Sequence, residues 1–297
     1  MHKLTIAAAA VIAATGISIR AQQGIGQTPA PYPLSQTIRE RGSSVTGAFE
    51  GWYYTKDGGV SLLVGYFNRN TKQELDVAIG PNNRIEPGGP DRGQPTHFMT
   101  GRQYGVFSIN VPKDFGKQKL TWTLIVNGQT NAITLHAAPD WIVEPYEDPA
   151  NKNTPPRLQF ESGGAAFSGP PRDIAAHYQV AVGVPLPLTA WITDEGPKLH
   201  IPEPRRANRG STTPALPQAP AIAVAWSVMR GPAAVTFDKA KPAIDREAGG
   251  KTMTNATFSA PGEYLLRVQG NDSTGDGGGG FQCCWTNALV AVSVKAP

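Results

Sequence analysis

The sequence predicts an all-β fold of two antiparallel domains, the first a sandwich or small barrel. Glycine (33) and proline (27) make up about a fifth of the 297 residues, against roughly 12 per cent in an average chain. They fall between short runs of Val, Ile, Leu, Tyr, Phe and Trp, the pattern of strands joined by turns. No window shows sustained helical periodicity, and only Asp173 to Tyr178 could hold a single helical turn.

Residues 1–21 read as an export signal: Lys3 supplies a positive start and Leu4 to Ala14 an apolar run shorter than the roughly 20 residues a membrane helix needs. Cleavage is expected after Ala21, with Gly16 as the alternative because Ile19 is large for its place. No cysteine near the junction suggests a lipid anchor, and no other apolar run reaches 18 residues, so the mature chain is expected to be soluble, without a transmembrane segment, and secreted, periplasmic or at the cell surface. Losing Lys3 and Arg20 takes the 27 basic residues to 25 against 23 acidic ones, a net charge of +2. Only Arg205, Arg206 and Arg209 cluster, and they read as a solvated loop, so no nucleic-acid partner is expected.

Residues 22–46 lack periodicity and read as a flexible leader. A β-rich domain of unrecognised family is expected over 47–138. Phe49 to Thr55 and Val60 to Asn68 form a hairpin about Lys56-Asp57-Gly58-Gly59, and Glu74 to Ile79 alternates as a half-buried strand. Tyr104 to Val111, Lys119 to Val126 and Thr130 to His136 follow, the last two joined at Asn127-Gly128. Pro81 to Gly101, with four glycines and four prolines, is too irregular for a strand, and loops of this length are functional or disordered. Residues 139–156 read as a proline-punctuated linker.

The second domain is expected over 157–297, with strands at Arg157 to Glu161, His177 to Val182, Leu186 to Thr193, Ile222 to Met229, Ala233 to Phe237, Thr254 to Ser259, Gly262 to Gly270 and Ala288 to Lys295. The runs Val224 to Asp238 (VAWSVMRGPAAVTFD), Ala256 to Gln269 (ATFSAPGEYLLRVQ) and Val290 to Val294 resemble the PKD and immunoglobulin-like modules of bacterial extracellular proteins. The resemblance covers roughly the last 110 residues and implies an immunoglobulin-like sandwich, with Trp226 as the buried tryptophan of the third strand and Tyr264 as the tyrosine of the sixth, whose hydroxyl caps nearby backbone. It also implies a spacer or adhesive role without an activity. The long Pro197 to Ala221 and glycine-rich Gly270 to Gly280 loops depart from the pattern.

Chemistry has few candidate seats. Cys283 and Cys284 are adjacent in an exported chain. Neighbouring Cα atoms across a trans peptide are ~3.8 Å apart, closer than the usual disulfide range of roughly 4.4 to 6.8 Å. A vicinal disulfide, two buried thiols or an intermolecular bond therefore all remain open; the first would set a stiff apolar platform beside Trp285. Trp52 and Tyr54, with Asn68 and Asn70, put aromatic faces beside amides in the first hairpin, as a sugar site would, although alternate aromatic residues of a strand must face the core. The long loop gathers Asn82, Asn83, Arg84, Asp91, Arg92, Gln94, His97 and, just past it, Arg102, either a ligand site or solvated polarity. Zinc-helix, serine-elbow, phosphate-loop and dinucleotide motifs are missing, so no catalytic residue, metal site or cofactor is assigned. His200 and Glu203 are separated by Ile201 and Pro202, and the proline forbids the helix a metal motif would need. Asp140, Glu144 and Glu147 read as linker acids, and Asp272 and Asp276 do not fit a calcium loop. The expected function is a secreted, non-catalytic binding or adhesion protein whose first domain recognises a polysaccharide or cell-surface component. The alternatives are a secreted hydrolase with its active site in the 81–102 loop, using Asp91 and His97, and a structural cell-envelope component.

Overall fold

The computed structural model describes residues 38–149, 152–196, 222–272 and 283–296. The expected signal peptide and the 22–37 part of the leader lie outside them, as do His200, Glu203, the three clustered arginines, Asp276 and most of both long loops. The described residues all belong to one compact unit.

The described chain is all β apart from a single 3-10 turn at Pro139–Trp141. Strands β1 (Val45–Tyr54), β2 (Val60–Asn68) and β6 (Gly101–Val111) form one antiparallel sheet in the order β1-β2-β6. A second sheet joins β4 (Asn83–Glu86), β7 (Lys119–Val126) and β8 (Gln129–His136) in that order, while β3 (Leu75–Asp76) pairs only with β5 (His97–Phe98). No barrel closes. Leu62, Val64 and Tyr66 of β2, Phe107 and Ile109 of β6, and Ile85, Trp122, Leu124 and Leu135 of the second sheet make a common core, so this region is a sandwich. Asn131 closes its flank by donating from Nδ2 to Ser44 Oγ (2.7 Å) and Val45 O (3.0 Å).

β1 starts at Val45, two residues inside the expected leader, because it pairs along its whole length with β2. Its pairing register shifts between Phe49 and Gly51. The extra residue lets Phe49 and Trp52 both face the sandwich core and turns Tyr53 to the opposite side. The strand expected at 74–79 shrinks to β3, and the loop expected at 81–101 contains β4 and β5.

In the second region β9 (Arg157–Gln159), β10 (Ala166–Phe167), β12 (Leu186–Thr193), β14 (Val235–Phe237), β15 (Ile244–Asp245) and β16 (Lys251–Phe258) make a sheet ordered β10-β9-β12-β16-β14, with β15 added to β16. Facing it are β11 (Ile174–Ala181), β13 (Ile222–Arg230), β17 (Gly262–Asp272) and β18 (Trp285–Lys295), ordered β11-β18-β17-β13; all pairs are antiparallel except β11 with β18. Immunoglobulin sandwiches set strands A, B, E and D against C, F and G. Here β9, β12, β16 and β14 hold the first set of places and β13, β17 and β18 the second, so the sandwich is immunoglobulin-like. Trp226 on β13 is 1% exposed and meets Phe160 edge-on at 6.3 Å. The Tyr264 hydroxyl, near the start of β17, donates to Ala260 O at 2.8 Å, as the resemblance implies.

The two sandwiches touch through sheet faces. Even-numbered Leu62, Val64 and Tyr66 of β2 point into the first core, while Leu63 packs with Tyr53 of β1 and Trp285 of β18. Met229 of β13 belongs to the first core, with Leu265 and Leu289 packed against it. The β1-β2-β6 sheet is therefore a middle layer, and the outer face of the β18-β17-β13 sheet is its second floor. Gly105 makes the approach possible: a Cβ there would lie 1.9 Å from the Trp285 ring, and its φ of +51° is one that only glycine adopts without cost. Gly105→Val should lower unfolding free energy in urea by about 3 kcal/mol or more, from overpacking plus backbone strain. Gly128→Ala, at φ +73° but facing open space at a hairpin tip, should lose only about 1 kcal/mol in the same measurement.

Candidate functional site

The contact between sandwiches carries buried charge. Glu50, at the β1 irregularity, has a side chain only 1% exposed; its Oε1 accepts from Arg102 Nη2 at 2.5 Å and its Oε2 from the Gly105 amide at 2.8 Å. Gly65 leaves the room, since a Cβ there would stand 2.2 Å from Glu50 Oε1 and 2.5 Å from Arg102 Nη1. Arg102 also donates to the carbonyls of Tyr66 and Gln103, and its guanidinium lies 4.2 Å from the centre of the Tyr104 ring. From the other sandwich, buried Arg267 donates through Nη2 to Gln103 Oε1 at 2.6 Å, while its Nη1 has no hydrogen-bond partner among the described residues. Asn287 adds donations to Tyr104 O (3.2 Å) and Gly105 O (2.8 Å). Burial pushes the Glu50 carboxyl up despite the opposing pull of Arg102, the Gly105 amide and Arg267. Burial likewise pushes Arg267 down, against Tyr66 and Glu50, and drives the Tyr66 hydroxyl up to about 12.

The residues singled out from sequence take separate places. Asn68 and Asn70 are buried: Asn68 Nδ2 donates to the carbonyls of Gln73 and Phe98, its Oδ1 accepts from the Asn70 amide, and Asn70 in turn bonds both backbone groups of Ser43. These amides tie turns together. Asp91 is held by Arg230 of β13 in a two-pronged pair at 3.0 and 2.7 Å, and this hydrogen bonding pulls its carboxyl down despite partial burial. Arg92 donates from Nη2 to Pro87 O and from its amide to Gln94 Oε1. Buried Asn83 bridges Val77 O, Pro95 O and the Trp122 indole. The long loop is thereby fastened to both sandwiches. Cys283 and Cys284 are disulfide-bonded across a cis peptide, Cα atoms 3.2 Å apart, and both are buried rather than presented as a platform.

Two accessible features adjoin these residues. The first is a cleft of about 400 Å³ between β3, β5 and the chain around Gly231 to Phe237, lined on one side by Glu74, Asp76 and His97 and on the other by Pro232, Ala233, Val235 and Phe237. His97 Nδ1 lies 2.8 Å from Asp76 Oδ1 and its Nε2 3.2 Å from Glu74 Oε2. Burial draws the imidazole down, but the bonds from Glu74 and Asp76 outweigh it and the net shift is upward; the His97 bond pulls Glu74 down against its burial. With both ring nitrogens engaged, the proton is held between carboxylates rather than offered to a substrate. The second is the outer edge of β1, where residues 138–143 lie against it. Trp52 Nε1 donates to Ala138 O at 2.6 Å and Trp52 O accepts from the Val143 amide at 2.9 Å, which lays residues 138–143 along that edge. Trp52 itself is only 7% exposed, but Tyr54 beside it is 59% exposed, and Trp141, stacked on Phe49 at 5.3 Å, is 47% exposed.

No protein-family model matches the chain, and no curated protein matches it. Among solved structures, domains 4 and 5 of the S-layer protein SbsC align at 12% identity over 85% of this chain and 98% of that one, with a TM-score of 0.23. The D00-D0 domain of intimin aligns at 12% identity over 87% and 96%, TM-score 0.24, and the titin tandem A164-A165 at 11% over 86% and 100%, TM-score 0.22. Scores this low carry no assignment of fold or function, which rest on the sheets and side chains themselves.

Among the described residues no helix is long and apolar enough to cross a membrane, and no group of three or more His, Cys, Asp or Glu side chains is arranged to hold a metal. Sequence reading passed over Glu50, Arg267, Glu74, Asp76 and Trp141. A signal existed for the first two, since each is a lone charge inside a hydrophobic strand run, FEGWYY and YLLRVQ. Glu50→Gln should cost about 3 kcal/mol or more of stability, because two guanidinium groups then share a buried joint with no carboxylate. Urea unfolding checks this, and an unchanged midpoint would show the charge to be idle.

Proposed function

We propose that this is an extracellular binding or adhesion protein whose first sandwich presents an aromatic edge to a polysaccharide and whose immunoglobulin-like sandwich holds that edge at a set orientation. The export-type leader and the disulfide-bonded cysteine pair support a place outside the cytoplasm, secreted, periplasmic or on the cell surface. The observation that carries the reading is the pair of open rings, Tyr54 and Trp141, on the β1 edge. A sugar ring has an apolar face that stacks on an aromatic plane, and single large aromatics at a soluble surface are the side chains that dominate such contacts. Trp52 supports the edge from below and is not itself a contact. The hydrolase reading has less support, since Asp91 is paired with Arg230 and His97 with two carboxylates.

Retention of the mature chain on a panel of insoluble polysaccharides tests the proposal. Tyr54→Ala and Trp141→Ala should each weaken retention roughly tenfold with the thermal midpoint nearly unchanged. Equal retention by the variants, or none by the wild type on any polysaccharide, would contradict it.

A further inference from the structure

We propose that His97 is a pH-operated clasp: its imidazolium holds β3 to β5 beside the joint between sandwiches, and loss of the proton loosens β3 and opens the adjoining cleft. This stands apart from the polysaccharide reading.

The geometry makes β3 dependent on the histidine. β3 and β5 pair through only two residues each, Leu75 with Phe98 and Asp76 with His97, so the ladder supplies little. The ring adds one bond to each of two carboxylates on or next to β3, at 2.8 Å to Asp76 and 3.2 Å to Glu74. A neutral imidazole has one N–H, so above the titration one carboxylate must face a lone pair. The His97 side chain is 17% exposed, so water replaces the missing donor poorly. The same segment is coupled to the second sandwich, because the Val77 amide donates to Thr96 O (2.8 Å) and the Thr96 amide to Met229 O (3.0 Å).

The other ionisable groups around this place leave His97 in control. Arg230 at the end of β13 is engaged by Asp91 and by Gln94 O, and Glu263 of β17, which borders a neighbouring hollow with Asp76, accepts from Ser293 Oγ. The Tyr66 hydroxyl on β2 accepts from the Met99 amide, and Arg267 is bound to Gln103. No lysine or arginine lines the cleft among the described residues. The sign follows from the directions of titration. His97 is raised above 6.5, so its contribution is complete below about 6.5 and lost as pH climbs through the folded-state value. Glu74 is lowered from 4.5, so its share is present above about 4.5 and lost only as pH falls through its folded-state value. The clasp is thus closed in mild acid and opens as pH climbs through the folded-state value of His97.

Hydrogen exchange of the mature chain at about pH 5.5 and about pH 8, corrected for the intrinsic pH dependence of exchange, reads the effect directly. The amides of Val77, Thr96 and Phe98 should lose roughly tenfold or more of their protection at the higher pH, while those of β12 and β16 keep theirs. In His97→Gln the three amides should be weakly protected at both values. Equal wild-type protection at both pH values would overturn the proposal, as would an unchanged pH response in His97→Gln, which would place the effect on His136 or His177. An NMR titration of wild-type His97 needs no variant: a value above about 6.5 is expected, and one below it would overturn the clasp even if the variant failed to fold.

Discussion

The β1-β2-β6 sheet has no free face, and most other features of the molecule follow from that constraint. A half-buried antiparallel strand alternates apolar and polar residues, but one covered on both sides reads as a continuous apolar run. β2, with the sequence VSLLVGYFN, is such a run, and eight of its nine residues are buried. One set of its side chains completes the first sandwich; the other packs against Trp285 and its surroundings on the second. A sheet used this way cannot also be a binding face. Accessible chemistry is driven to the edge of β1 and to the cleft at the margin of the joint.

Sharing a layer has an electrostatic consequence. Glu50 and Arg267 come from different sandwiches, are both buried, and act on each other electrostatically, while Arg267 takes its bond to Gln103 from the first sandwich. Buried ions add little net stability over a well-packed apolar alternative, but removing one partner strands the other. The arrangement therefore sets the docking position: a slip of one residue along β6 would take Gln103 from Arg267 and Gly105 from beneath Trp285 at once. Asp91 with Arg230, and Thr96 with Met229, repeat the connection at the rim.

Much of the strand pattern was legible in the residues because glycine and proline mark the turns. β2, β7 and β12 have the expected limits, and β8, β13 and β17 differ by only a residue or two. The misses have a common physical cause, dependence on partners far along the chain. Asn83–Glu86 has one apolar side chain and becomes a strand only because β7 pairs with it. Glu74 to Ile79 alternates well but finds only a two-residue partner. The site was less legible than the fold. Residue types suggested which side chains could touch a ligand, but exposure decides which do. Arg267 and Gln103, 164 residues apart, show why exposure is not written locally. Arg102, Asn68 and Asn70 look like surface polarity in sequence and are spent on internal bonds, whereas Trp141 stands in a proline-rich stretch and is open to solvent.

Two sandwiches that share a buried, charged layer should fold as one cooperative body. Scanning calorimetry of the protein tests this, since a single unit gives one transition whose calorimetric and van't Hoff enthalpies agree, a ratio of about one. Two resolved transitions, or a calorimetric enthalpy about twice the van't Hoff value, would mean that the sandwiches unfold independently and that the layer between them holds neither in place.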